Sequence, residues 1–292
     1  MYSALMINIT DPHLHLFNLA DGEYGWLQPG SAPSWPDKSK LLHDFTESDL
    51  SLKEPLRLAG YTHVEAGFSN DQSWLEIDWI ESQASLPVRT IGCINLCASQ
   101  NDFSDSVAQF SQRSSMVGVR HIFDEQLESI ISHPNTLPNL KSLESAGLLF
   151  ELQFDATKKV DVDKVIGLLK QLPNLTVVLN HQGFGSTALS DDQKLPWLSG
   201  LAKLAELPNV YVKCSGLEML DRSFTAETLQ QTLVKLVSLF GQDRMMVASN
   251  FPLVTLSMSY EAYWVLVVES IRKAGLNLER LVDLNAREIY RF

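Results

Sequence analysis

The chain has 292 residues, of which 45% are hydrophobic and 20% charged, close to average globular usage. Its formal net charge of -12, with no cluster of Lys and Arg, argues against nucleic acid and anionic membrane surfaces as partners, because both bind through concentrated cations. The most apolar stretch, around Tyr263 to Val268, is far shorter than the roughly 18 residues a membrane-spanning helix needs.

Met1 to Thr10 lacks the basic start, long apolar core and small-residue cleavage site of a secretory leader, so the expected location is cytoplasmic. Cys93, Cys97 and Cys214 are odd in number and show no zinc-like pairing; they are expected to be buried free thiols.

Short β-branched or apolar runs alternate with amphipathic stretches along the whole chain, the pattern of repeated βα units. In chain order, strands are expected at Met6–Asp11, Tyr61–Ala66, Val88–Leu96, Met116–Ile122, Leu148–Phe154, Thr176–Asn180, Val210–Cys214 and Met245–Ser249. Helical periodicity falls between them at Trp74–Ala84, Asp161–Gln171 and Thr225–Phe240, where apolar residues recur three and four positions apart. Pro173-Asn174, Pro208-Asn209, Gly147 and Gly241 punctuate these elements.

Eight such units, with no internal repeat and no linker-like composition shift, predict one α/β domain over residues 1–292, a (β/α)8 or TIM barrel. The rival doubly wound sheet would carry a Gly-rich phosphate turn after its first strand, where this chain has His-Leu-His. Phe17–Thr46, containing Trp26 and Trp35, follows the first strand and should therefore lie on the catalytic face.

Strand alternation places positions i and i+2 on one side, so His13 and His15 should look together into the barrel mouth. His181 ends the sixth strand and Asn250 the eighth, each where an apolar run stops on polar groups. Glu65 on the second strand, Arg120 and His121 on the fourth, Gln153 on the fifth, and Lys213 with Ser215 on the seventh also stand at strand ends. Only one of Arg120 and His121 can face inward. A buried guanidinium needs a carboxylate or an anionic ligand, so Glu65 is either its structural partner or a substrate contact.

Together, Asp11-Pro12-His13-Leu14-His15, Gly118-Val119-Arg120-His121, Asn180-His181-Gln182-Gly183, Val212-Lys213-Cys214-Ser215-Gly216-Leu217 and Ala248-Ser249-Asn250-Phe251-Pro252 resemble the strand ends of the amidohydrolase superfamily. More narrowly, they resemble its amidohydrolase 2 branch of sugar lactonases and pyrone-dicarboxylate lactonases. The resemblance spans nearly the whole chain and implies a distorted (β/α)8 barrel that hydrolyses a small cyclic ester, with His13, His15 and His181 around the reacting carbonyl. In the wider superfamily these positions hold a divalent metal, and an aspartate at the end of strand eight takes the proton of the attacking water.

Here that position is Asn250, which has no basic oxygen at neutral pH and is a poorer ligand than a carboxylate. The strand-five ligand is also missing from Phe150-Glu151-Leu152-Gln153-Phe154, which leaves one zinc-like ion held by His13, His15 and His181, or metal-free catalysis of the kind this lactonase branch includes.

The expected reaction is water attack on a lactone carbonyl polarised by His13 and His15, with His181 or Glu65 handling the proton. In this reading Arg120, His121, Lys213 and Gln153 bind substrate, and Trp26 or Trp35 covers an apolar sugar face. A neutral sugar aldonolactone from carbohydrate metabolism is favoured over a pyrone dicarboxylate, because few fixed cations stand at strand ends. A metal-dependent decarboxylase and a non-catalytic small-ligand barrel are the alternatives. The partner is a small molecule, and homo-oligomerisation is left open.

Overall fold

The computed structural model of the chain describes residues 5–69 and 71–292. Of the segment read for a leader, residues 1–4 lie outside the described residues.

Eight parallel strands form one sheet in the order β1 to β8: Ile7–Leu14, Leu56–Val64, Val88–Cys93, Met116–Ile122, Leu149–Gln153, Val177–Leu179, Val210–Cys214 and Met245–Val247. The last strand meets the first through segments just beyond β8: the Asn250 amide donates to the His13 carbonyl at 2.9 Å and the His15 amide to the Phe251 carbonyl at 2.6 Å. The expected barrel is therefore the observed one.

Helices follow the strands and pack their apolar stripes on the outside, as Trp74–Gln83, Lys159–Leu169 and Ala226–Phe240 do. Inside, Val64, Ile91, Leu149, Val178 and Met246 form an apolar layer closed by Ala286 and Tyr290 of the last helix, Asn285–Tyr290. The cylinder is thus a packed core rather than a pore. Among the described residues no helix is long and apolar enough to cross a membrane. The three thiols are free; Cys214 is buried, whereas Cys93 and Cys97 are only half-buried.

Several boundaries differ from expectation, and the differences matter at the mouth. Strand β2 starts at Leu56 rather than Tyr61, because Leu56 and Leu58 are buried and pair with Ile7 and Ile9 while Arg57 stays exposed. Strands β3, β6 and β8 end earlier than expected, at Cys93, Leu179 and Val247. Strand β1 instead runs on to Leu14, with a bulge between Asp11 and Leu14, where pairing jumps from Tyr61 to His63. An extra residue in a strand reverses which side the next side chains face. Asp11 accordingly contacts Tyr260 of the outer helix Tyr260–Lys273, while His13 contacts Lys213.

Candidate active site

The rings of His13, His15 and His181 meet at the carboxyl-terminal rim, with centroids 5.0 Å apart for His13 and His15 and 4.7 Å for His13 and His181. All three are buried. Burial, reinforced by the cations Lys213 and Arg120, holds each ring well below the ordinary imidazole range, so they are neutral at physiological pH. His181 and Gln182 occupy left-handed backbone, φ 51° and 42°, directly after β6. Asn250 does the same after β8, with φ 56°. Non-glycine residues held in this region by their surroundings gather at functional sites, since each costs of order 1–3 kcal/mol.

The hydrogen bonds fix what each imidazole presents. His15 donates through Nδ1 to the Val64 carbonyl at 2.7 Å, which leaves its Nε2 lone pair open. His181 shares Nδ1 with the Ser215 hydroxyl at 2.9 Å. His13 Nδ1 faces the Lys213 ammonium at 3.1 Å, while its buried Nε2 has no partner. Lys213 is pushed down to about 8 by burial against the opposing pull of Glu151, so at pH 7 it is mostly charged and donates. With Lys213 donating to Nδ1, a neutral His13 carries its own proton on Nε2.

Beneath the imidazoles lies a polar column. Lys213 donates to Glu151 Oε1 at 2.6 Å, and the Tyr290 hydroxyl donates to the same oxygen at 2.7 Å. Both charged side chains have no solvent exposure. At the rim, Arg120 Nε donates to Glu65 Oε1 at 2.7 Å and Nη2 to the Glu65 carbonyl at 2.8 Å, with Nη1 reaching Gln153 at 3.2 Å.

This arrangement corrects four assignments. Lys213 is sealed under His13 and is not placed to grip substrate. Glu65 gives Oε1 and its carbonyl to Arg120, the structural-partner role, rather than standing free beside the imidazoles. His121 points to the outer side of β4, where its Nδ1 accepts from the Leu96 amide at 3.2 Å, so Arg120 is the inward member of that pair. Trp35 stacks under Arg222, 4.9 Å from its ring centre, and that guanidinium also bonds Asp37. Trp26 spends its N–H on the Ala66 carbonyl at 2.8 Å and packs on Phe17. The first loop therefore caps the rim, and its tryptophans are engaged with protein.

A depression of about 420 Å³ opens beside the imidazoles; Phe184, one of its walls, packs on His181 with ring centres 5.6 Å apart. A larger depression, about 610 Å³, lies among Asn8, Arg57 and Asp283 at the opposite rim, away from this chemistry. Sequence reasoning missed Glu218, which follows β7 in the short helix Leu217–Leu220 and takes the Asn250 amide at 2.6 Å. The glycine before that helix and the single carboxylate within it were its only signal.

The amidohydrolase family model, Amidohydro_2, matches residues 10–292. The chain belongs to the amidohydrolase family. Protein y4mH of Sinorhizobium fredii is 27% identical over 276 residues, covering 88% of this chain and 89% of that protein. An amidohydrolase from Burkholderia multivorans with bound zinc superposes with a TM-score of 0.79 at 22% identity, covering 99% of this chain and all of that one. A probable 2-pyrone-4,6-dicarboxylic acid hydrolase from Acinetobacter baumannii, with citric acid bound, gives 0.66 at 19% identity, covering 98% of this chain and 100% of its own.

A zinc-like ion does not fit the donor set of this amidohydrolase. His13 Nδ1 is taken by Lys213, so the ring offers an N–H where a ligand needs a lone pair. Among the described residues no three His, Cys, Asp or Glu side chains form a group able to hold an ion. We expect chelator treatment to leave turnover unchanged and elemental analysis to find no stoichiometric metal. Activity lost on chelation and regained with zinc would show that His13 adopts the other tautomer.

Proposed function

We propose that this amidohydrolase opens a small neutral lactone by adding water to its ester carbonyl. The observation that carries the reading is the buried, unpartnered Nε2 of His13, flanked by His15 and His181, which is an N–H when Lys213 donates to Nδ1. A carbonyl oxygen seated there meets a donor fixed before reaction, and the negative charge that develops on that oxygen is worth more hydrogen bonding than the ground state was. Lys213 holds the tautomer, and Ser215 and the Val64 carbonyl orient the neighbouring rings. Gln153 and the two unused guanidinium hydrogens of Arg120 line the same rim and suit the ring hydroxyls of a sugar.

Charge supports a neutral substrate. The two central cations are already matched, Arg120 by Glu65 and Lys213 by Glu151. The depression beside His181 carries Asp124, Glu125 and Asp155 against Lys158. A dicarboxylate would meet more like charge than opposite charge on entry, a mismatch that costs several kcal/mol.

Proton release measured over a panel of aldonolactones and a pyrone dicarboxylate tests this. The aldonolactones should exceed the dicarboxylate in kcat/KM by about 100-fold or more. Preference for the dicarboxylate would overturn the charge argument, and no ring opening in the panel would overturn the reaction.

A further inference from the structure

Water that attacks a carbonyl must hand its proton to a base, and nearly every carboxylate buried near this site is committed elsewhere. Glu65 Oε1 is held by Arg120, and Glu151 is bonded through Oε1 to Lys213 and Tyr290, while its Oε2 is sealed beneath the site with no solvent exposure, 3.7 Å from His13 Nδ1. Glu76 bonds His63 at 2.9 Å and the Ala66 amide at 2.8 Å. Asp11 takes the amides of His13 and Ser249 and the Tyr260 hydroxyl. With Lys213 donating to its Nδ1, His13 presents a proton, and burial beside Arg120 holds His15, whose Nε2 lone pair is open, well below the ordinary imidazole range.

Glu218 remains. Its carboxylate is 1% exposed and takes the Asn250 amide, while the Asn250 backbone N–H donates to the His13 carbonyl. One residue, Asn250, therefore holds Glu218 through its side chain and the strand that carries His13 through its backbone. On its other side, the helix Leu217–Leu220 starts from Gly216 at φ 69°, where a Cβ would stand 2.8 Å from His181 Nδ1. Only glycine allows that approach. Leu220, at the far end of the helix, lines the same depression as Phe184. The carboxylate is thus buried between the β8 tip, which Asn250 supplies, and the turn at Gly216 that touches His181, within one turn of a residue of that depression.

We propose that Glu218 is the catalytic base of this hydrolase and that Asn250 is its positioning residue. The inference rests on the lactonase reading. Glu218 takes one proton from water as the water oxygen bonds to the carbonyl carbon. When the ring C–O bond breaks, the departing alkoxide recovers that proton from Glu218, which restores the carboxylate and leaves a hydroxy acid. The acid then loses its proton to solvent. Burial pushes the Glu218 carboxyl up to about 7, with the Asn250 amide opposing, close to the value that favours proton transfer at neutral pH. The other charged or titratable groups facing it are Arg222, which donates to the Glu218 carbonyl and is backed by Asp37, and Tyr263, whose hydroxyl donates to the Ala248 carbonyl.

The test is kcat/KM against pH on an aldonolactone. The wild-type rate should rise with pH through about 7, as Glu218 ionises. Glu218→Gln should lose about 10²–10⁴ in rate together with that limb, and adding Asn250→Asp to it should restore part of the rate by returning a carboxylate. Asn250→Ala keeps the base but removes a donor that favours its charged form, so the limb should move to higher pH. That shift remains a valid test if Glu218→Gln does not fold. Retained rate and an unmoved limb in both variants would overturn the assignment while lactone hydrolysis stands. A wild-type chain that opens no lactone would overturn both.

Discussion

Lys213→Met will lower stability by about 3–5 kcal/mol, the usual cost of removing one partner from a buried ion pair. The loss comes less from the missing attraction than from what is left behind. Glu151 has no solvent exposure and sits inside the barrel between β5 and Tyr290, so without the ammonium it is an uncompensated charge in a medium that solvates charge poorly. Glu151→Gln combined with Lys213→Met removes both charges and keeps an acceptor for the Tyr290 hydroxyl, and it should recover most of the lost stability. Urea denaturation of the two variants decides the matter: an equally unstable double variant would mean that the packing of the lysine stem, not its charge, was holding the barrel.

The same pair of variants separates two duties of one side chain. Lys213 also donates to His13 Nδ1, and the double variant folds without that donor. Its imidazole is then free to place the proton on either nitrogen. Turnover in the folded double variant should stay well below wild type even though stability has returned, which no purely structural role for Lys213 would produce.

The barrel and the meeting of the imidazoles were legible in the sequence because both follow from periodicity. Eight apolar runs of strand length fix the count, and histidines placed where such runs end fall on one rim by the geometry of parallel strands. What alternation cannot show is its own interruption. The bulge after Asp11 changes which residues share a face, and it turns Asp11 away from the imidazoles into a clamp between β1, Ser249 and Tyr260. Nor does a sequence show which polar groups satisfy one another. Lys213 and Arg120 both read as cations at strand ends, yet one is buried beneath the site and the other neutralised beside it, because the deciding carboxylates, Glu151 and Glu65, lie on other strands. Glu218 escaped for the opposite reason. It lies three residues past the last polar strand-end residue of β7, on a turn whose course is set by the contact between Gly216 and His181, and only the fold brings it to Asn250.

His13→Ala should lower kcat by about 10²–10³, the cost of one fixed donor to a developing oxyanion, while KM changes little and unfolding stays cooperative. The pH profile then distinguishes the role proposed for His13 from its rival. Burial and two nearby cations hold the ring neutral across the working range, so it contributes no limb of its own. If His13 only donates, the slower variant keeps the limb near 7 set by Glu218, and the curve is displaced downward without change of shape. If His13 were the base, removing it would flatten the acidic side of the profile. His181→Ala should also be slow, and the double variant should be far less impaired than the product of the two single effects. The two rings pack on each other with centres 4.7 Å apart, and once one is gone the other is no longer held in place.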